Sequence, residues 1–108
     1  LMHSATRKLQ PWLAELAISP PRLPFFANYS GTRVDDPEEI REGLLRQIEN
    51  SVRWEQCVRG VLGLDCSTAL ELGPGKVLRG HVRKIDREAV VESIGTLESL
   101  DNLEGVPV

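Results

Sequence analysis

The sequence has little of the chemistry that marks several common protein classes. Its only cysteines, Cys57 and Cys66, are too few and too irregularly placed for a disulfide scaffold or a zinc site. Both stand among apolar neighbours (Val58, Val61, Leu64), which predicts two small buried thiols in a reducing compartment. His3 and His81 are isolated, so no metal site is expected. Positive charge is not in excess: 13 Lys and Arg against 16 Asp and Glu give a net charge of −3, which argues against a nucleic-acid binder. The basic residues from Lys76 to Arg87 read instead as a solvated helix face. No apolar run approaches the roughly 18 residues that span a bilayer, and no signal peptide is recognisable. A cytoplasmic protein without a membrane partner is expected. The opening Leu1-Met2-His3-Ser4 is not an initiation sequence and reads as a boundary within something longer. Internal repeats and low-complexity tracts are also missing.

What is present belongs to an ordinary globular chain, 41% apolar and 27% charged over 108 residues, which fits one small domain. Leu9, Trp12, Leu13, Leu16 and Ala17 fall at helical spacing, with Pro11 expected to kink or restart that helix. After Ser19-Pro20-Pro21, the run from Leu23 to Asn28 reads as a buried strand. Asp36, Pro37 and Glu39 form a helix start of capping-box type, followed by Ile40, Leu44, Leu45 and Ile48 on one face. A further helix is predicted over residues 52–62, stopped by Gly63. Residues 68–72 and 89–94 read as strands. Between them a helix from Lys76 turns Val77, Leu78, Val82 and Ile85 inward. Thr96 caps a last short helix ending at Leu103. Compact apolar strands alternating with helices predict an α/β class, part of a largely parallel sheet flanked by helices. The three strands fit better as one portion of a larger sheet.

The stretch Glu71-Leu72-Gly73-Pro74-Gly75-Lys76-Val77-Leu78 is the most distinctive local pattern: strand, glycine turn, helix start. A helix N-terminus can hold an anion, with Lys76 adding charge. The spacing fails that of a P-loop, however, and Val77 follows the lysine where Ser or Thr is required. An architectural turn is the better reading. No Gly-x-Ser-x-Gly elbow occurs, and neither histidine stands at an informative spacing from a nucleophile.

Taken together, these pieces resemble the acyltransferases that load malonyl groups onto acyl carrier protein, over almost the whole chain. Leu1-Met2 is similar to the end of that family's His-x-x-Leu-Met stretch, with Ala5 as the small residue that follows. Pro21, Pro24 and Asn28 fit Pro-x-x-Pro-x-x-x-Asn. Asp36 to Ile40 resembles the acidic start of the next helix. Arg46-Gln47 and Ser51-Val52-Arg53-Trp54 resemble Arg-Gln followed by (Ser/Asn)-Pro-Val-x-Trp, with Ser51 where many members carry proline. Glu71 to Leu78 matches Glu-x-Gly-Pro-Gly-Lys-Val-Leu.

The resemblance implies the C-terminal portion of an acyltransferase domain of α/β-hydrolase type over residues 1–104, with 105–108 as a loose tail. It implies a malonyl-CoA:acyl carrier protein transacylase chemistry. An elbow serine accepts malonyl from coenzyme A, and the phosphopantetheine thiol of the carrier protein then attacks the acyl-enzyme, with a histidine as base and acid. The partners implied are acyl carrier protein, malonyl-CoA and the remaining N-terminal part of the transacylase; no cofactor is implied. The elbow serine, the oxyanion-hole residues and the malonyl-binding arginine lie upstream in the family, and the histidine three positions before Leu1. The chain alone is therefore expected to be inactive. His3 could replace that histidine only with Leu-Met at positions 6 and 7, where Thr6 and Arg7 stand. One catalytic-support residue carries over: Gln47, whose backbone carbonyl would orient the histidine ring. Trp54 is expected to serve packing. The alternative reading is a non-catalytic binding or scaffold module of acyltransferase shape.

Overall fold

The computed structural model describes residues 2–103; the expected loose tail at 105–108 lies outside them. The chain forms two compact units, Leu1–Val61 and Leu62–Val108.

The first unit contains helices α1 (His3–Glu15), α2 (Pro37–Arg46) and nearly all of α3 (Trp54–Leu62). Helix α1 runs through Pro11 without interruption, although proline there supplies no N–H. It begins six residues earlier than the apolar spacing from Leu9 implies. Of the face expected to be apolar and inward, Leu13 is buried, whereas Trp12 is 76% exposed and Leu16 is also exposed. Helix α2 starts where expected, the Asp36 side chain accepting from the Glu38 N–H at 3.3 Å with Pro37 in the first turn. Such a cap contributes about 1 kcal/mol. Asp36 reaches Glu38 and not Glu39, so among the described hydrogen bonds the expected capping box with Glu39 does not close. Arg41, on α2, ties the two helices together. Its guanidinium donates to the carbonyl oxygens of Leu13 and Leu16 (2.6 Å to the latter) and lies 3.3 Å from Glu38 Oε2. A cation on otherwise unpaired terminal carbonyls suits the negative end of a helix.

The core of this unit gathers Ala27, Val34 and Ile40, with Ile18, Phe25 and Leu44 packed against them. The expected strand at 23–28 is reduced to one antiparallel bridge, Phe26 with Arg33. Leu23 is 78% exposed, and among the described residues no strand pairs with this segment beyond that bridge. Apolar composition placed a strand here, but a strand needs a neighbour to complete its hydrogen bonds. The Cys57 thiol donates to the Ala27 carbonyl at 3.4 Å, and the Arg53 N–H to the Asn28 carbonyl at 2.9 Å, fixing α3 beside the bridge. A side chain at Gly60 would collide with the Phe26 ring, its Cβ falling 2.3 Å from Cε1. The close approach of α3 requires glycine there.

The second unit is a β1 (Ala69–Leu72), α4 (Val77–Ile85), β2 (Val91–Ile94), α5 (Leu97–Asp101) succession. Strands β1 and β2 pair in parallel, Ala69 opposite Val91 through Leu72 opposite Ile94, as a helical crossover requires. The architecture is thus α/β with a parallel sheet flanked by helices, as expected, but with two paired strands in place of three. Thr96 and Ser99 form a reciprocal capping box at α5. Of the residues expected inward on α4, Val82 is buried and Ile85 half-buried, whereas Leu78 is exposed and Val77 is 68% exposed. Leu72 on β1 is 74% exposed. Among the described residues no large side chain is fully buried.

Candidate functional site

Gln47 caps the C-terminus of α2 in right-handed helical conformation (φ −62°, ψ −21°), its N–H donating to the Gly43 carbonyl at 3.0 Å. Among the described residues no donor reaches the Gln47 carbonyl oxygen. Its surroundings are well tied. The Asn50 side-chain amide donates to the Arg46 carbonyl at 2.7 Å. The Arg46 guanidinium lies 5.8 Å from the Tyr29 ring centre, donates to the Tyr29 hydroxyl and pairs with Glu42. The Glu42 carboxylate, with Tyr29 second, raises the Arg46 pKa.

Helix α1 starts beside this helix end. His3 Nδ1 sits 3.2 Å from Glu49 Oε1, and Met2 shares a hollow of about 400 Å³ with Ile48, Glu49, Asn50 and Ser51. Met2 and His3 are therefore neighbours of the turn that follows Gln47, a juxtaposition across more than forty positions of sequence. His3 itself is exposed and engaged by a carboxylate; no serine, threonine or cysteine approaches it among the described hydrogen bonds. His81 is exposed on α4.

A second cleft, of about 620 Å³, opens along the same turn. Asn50 and Ser51 line both, joined here by Tyr29, Ser30, Arg53 and Gln56. Gly31, at φ +69°, lets Arg53 and Gln56 approach so closely that a Cβ at this position would fall 2.8 Å and 2.9 Å from theirs. The Trp54 indole N–H is buried with no acceptor among the described residues.

In the second unit the glycine turn holds no free anion site. The Glu71 carboxylate, itself buried, accepts the N–H groups of Leu78 (3.0 Å) and Arg79 (3.1 Å) and the Ser93 hydroxyl (3.3 Å). The helix N-terminus, a place suited to a phosphate, is occupied by the chain's own carboxylate. Gly73 and Gly75, at φ +125° and +86°, make the tight reversal that returns α4 to Glu71. This clamp was not visible from residue spacing, since a glutamate in a short strand reads as a solvent-facing residue.

The cysteines divide. Cys57 is buried, and burial raises its thiol pKa; Cys66 is exposed, contrary to expectation, because it lies past the end of α3 in the turn around Asp65 (φ 61°). A single thiol per chain is expected to react quickly with iodoacetamide at neutral pH, with Cys57 slower by on the order of 100-fold. Peptide mapping after timed quenching checks this; equal rates would mean that α3 is not held as described.

No family model matches the chain. Among curated proteins, the malonyl CoA-acyl carrier protein transacylase of Bacillus subtilis is 30% identical over 101 residues, covering 94% of this chain and 32% of its own length. Among solved structures, the acyl carrier protein S-malonyltransferase of Vibrio cholerae superposes with a TM-score of 0.78 at 33% identity, over 91% of this chain and 32% of that one. A type II PKS acyl-carrier protein in complex with its malonyl-transacylase gives a TM-score of 0.79 at 30% identity, over 93% and 32%. The chain spans about a third of the length of the relatives it matches. In fold and in sequence alike, the chain is similar to a segment of an α/β acyltransferase. More narrowly, it is the C-terminal segment of the malonyl-CoA:acyl carrier protein transacylases that the chain resembles.

Proposed function

We propose that the chain supplies the C-terminal third of an enzyme that moves malonyl from coenzyme A to the phosphopantetheine thiol of acyl carrier protein, in fatty acid or polyketide synthesis in the cytoplasm. The observation that carries this reading is the meeting of the start of α1 with the turn after Gln47. The resemblance puts the family's histidine three positions before the place of Leu1, a few residues ahead of the start of α1. The Gln47 carbonyl, free of other donors among the described residues, is available to accept that histidine's ring N–H. An acceptor of this kind fixes the tautomer and leaves the other ring nitrogen to take the proton of a serine hydroxyl and later return it to the departing thiolate. No metal or cofactor enters this scheme. Malonyl-CoA and the carrier protein are substrates, and the N-terminal part of the transacylase is the partner that brings serine, histidine and oxyanion hole.

The test is a chimera in which this chain replaces the last third of the Bacillus subtilis relative. Malonyl transfer to carrier protein within about tenfold of the parent rate is expected. A folded chimera without transfer would sink the proposal and favour a non-catalytic module. In the chimera Gln47→Ala is expected to lower kcat by no more than about threefold, because the backbone carbonyl survives the change. A fall of 100-fold or more would assign the role to the side chain instead.

A further inference from the structure

The cleft of about 620 Å³ beside the Gln47 turn has no role in the scheme above, yet its lining is selective. Among the described residues Arg53 is the one charged side chain on its wall, and no carboxylate lines it. Among the described residues Arg53 enters no ion pair; it shares this with Arg7, Arg22, Arg79, Arg83 and Arg87, and differs from them in lining this cleft. Its stem is held against Gly31, and its backbone N–H against the Asn28 carbonyl, so the guanidinium is presented from a fixed base. Around it stand neutral hydrogen-bonding groups: the hydroxyls of Tyr29, Ser30 and Ser51 and the amides of Asn50 and Gln56.

We infer that this cleft is a subsite for the phosphate end of the phosphopantetheine arm, with Arg53 as its anion-binding residue. The inference rests on the transacylase reading, since it is that reaction which brings the arm here. A lone carboxylate would use one guanidinium edge and leave most of the cleft empty. A phosphate ester has more acceptor oxygens, which suits one arginine surrounded by hydroxyl donors. The amide-rich pantetheine chain beyond it pairs naturally with Asn50 and Gln56. Because Asn50 and Ser51 also line the hollow next to Met2, the cleft continues toward the place where the histidine would act. Coenzyme A and the carrier protein both carry this phosphate, so one subsite serves both half-reactions.

The experiment titrates the 108-residue chain with 4′-phosphopantetheine and, separately, with pantetheine, following backbone amides by nuclear magnetic resonance. Shifts at Ser30, Ser51, Arg53 and Gln56 are expected, with the phosphorylated ligand binding about tenfold more tightly. Arg53→Gln removes that preference, and Arg53→Lys retains part of it. Coenzyme A and holo carrier protein, titrated in turn, separate the two sources: Arg53→Gln weakening both supports a shared subsite, and weakening neither overturns it. Equal binding of the two small ligands, or shifts confined to other residues, would also overturn it. If the isolated chain gives no dispersed spectrum, the same comparison is read in the chimera. There Arg53→Gln is expected to raise the KM for malonyl-CoA about tenfold with kcat little changed, and an unaltered KM refutes the subsite. Phosphate-selective binding by the chain together with an inactive chimera would remove the transacylase reading while leaving the anion site in place.

Discussion

Mixed with malonyl-CoA and holo carrier protein, the 108-residue chain on its own is expected to transfer no malonyl above the rate in buffer. Enzymes of this kind of chemistry gain at least about 10⁶-fold over the uncatalysed reaction, and little of that gain survives without an activated nucleophile. The described hydrogen bonds join neither histidine to a serine, threonine or cysteine. His3 faces Glu49, and His81 stands exposed on α4. The one buried thiol, Cys57, donates to a backbone carbonyl, and burial raises its pKa, the reverse of what activates a cysteine. Malonyl transfer is followed by mass spectrometry of the carrier protein over hours, with and without the N-terminal two-thirds of the Bacillus subtilis relative added as a separate chain. Activity in the isolated chain, abolished by His3→Ala, would overturn the assignment of the missing base and make His3 catalytic. Activity only on mixing would show that the two portions reassemble, as the apolar residues left exposed (Trp12, Leu16, Leu72, Val77) would favour. Their burial would contribute about 25 cal/mol per Å².

How much of this could be read from the residues differs from one element to the next. The start of α2 was legible because capping is local: Asp36, Pro37 and the acidic first turn act within a few positions. The parallel pair β1 and β2 with its crossover helix was legible because strand and helix periods alternate cleanly between residues 69 and 94. The strand at 23–28 was not, since an apolar run records what a segment would bury and not whether a neighbour is there to pair with it. The same reasoning applies to Val77, Leu78 and Cys66: their apolar or small side chains suit an interior that the described residues do not supply. Gln47 could be picked out only through resemblance, because a backbone carbonyl leaves no trace in residue type. The cleft at Arg53 needed coordinates, as it joins residues 29–30 to residues 50–56 across a gap that spacing cannot interpret.

Replacing Glu71 is expected to unfold the start of α4 more than any other single change in the second unit. Its carboxylate accepts two consecutive backbone N–H groups of the first turn of α4, from Leu78 and Arg79, and the Ser93 hydroxyl from the neighbouring strand. Those amides have no partner within the helix, and a negative charge at this end is favoured by the helix dipole. Charge-assisted hydrogen bonds of this kind contribute about 1.5–3 kcal/mol, and the partial exposure of Leu78 and Arg79 places the loss toward the lower end of that range. Glu71→Ala should therefore cost about 2 kcal/mol. Glu71→Gln keeps one acceptor oxygen but turns an NH₂ toward the second amide, and should cost about half as much. Ser93→Ala removes only a donor to an already satisfied carboxylate and should cost well under 1 kcal/mol, roughly the scale of a single weak hydrogen bond. Hydrogen exchange of the Leu78 and Arg79 amides reads the effect locally, while denaturant unfolding reads it for the unit. Protection at both amides should vanish in Glu71→Ala and persist in Ser93→Ala. If Glu71→Ala leaves both amides protected, the turn is held by Gly73-Pro74-Gly75 alone and the carboxylate is incidental. If exchange rises equally at Gly43 and Gln47 in the first unit, the clamp supports the whole chain and not the glycine turn it bridges.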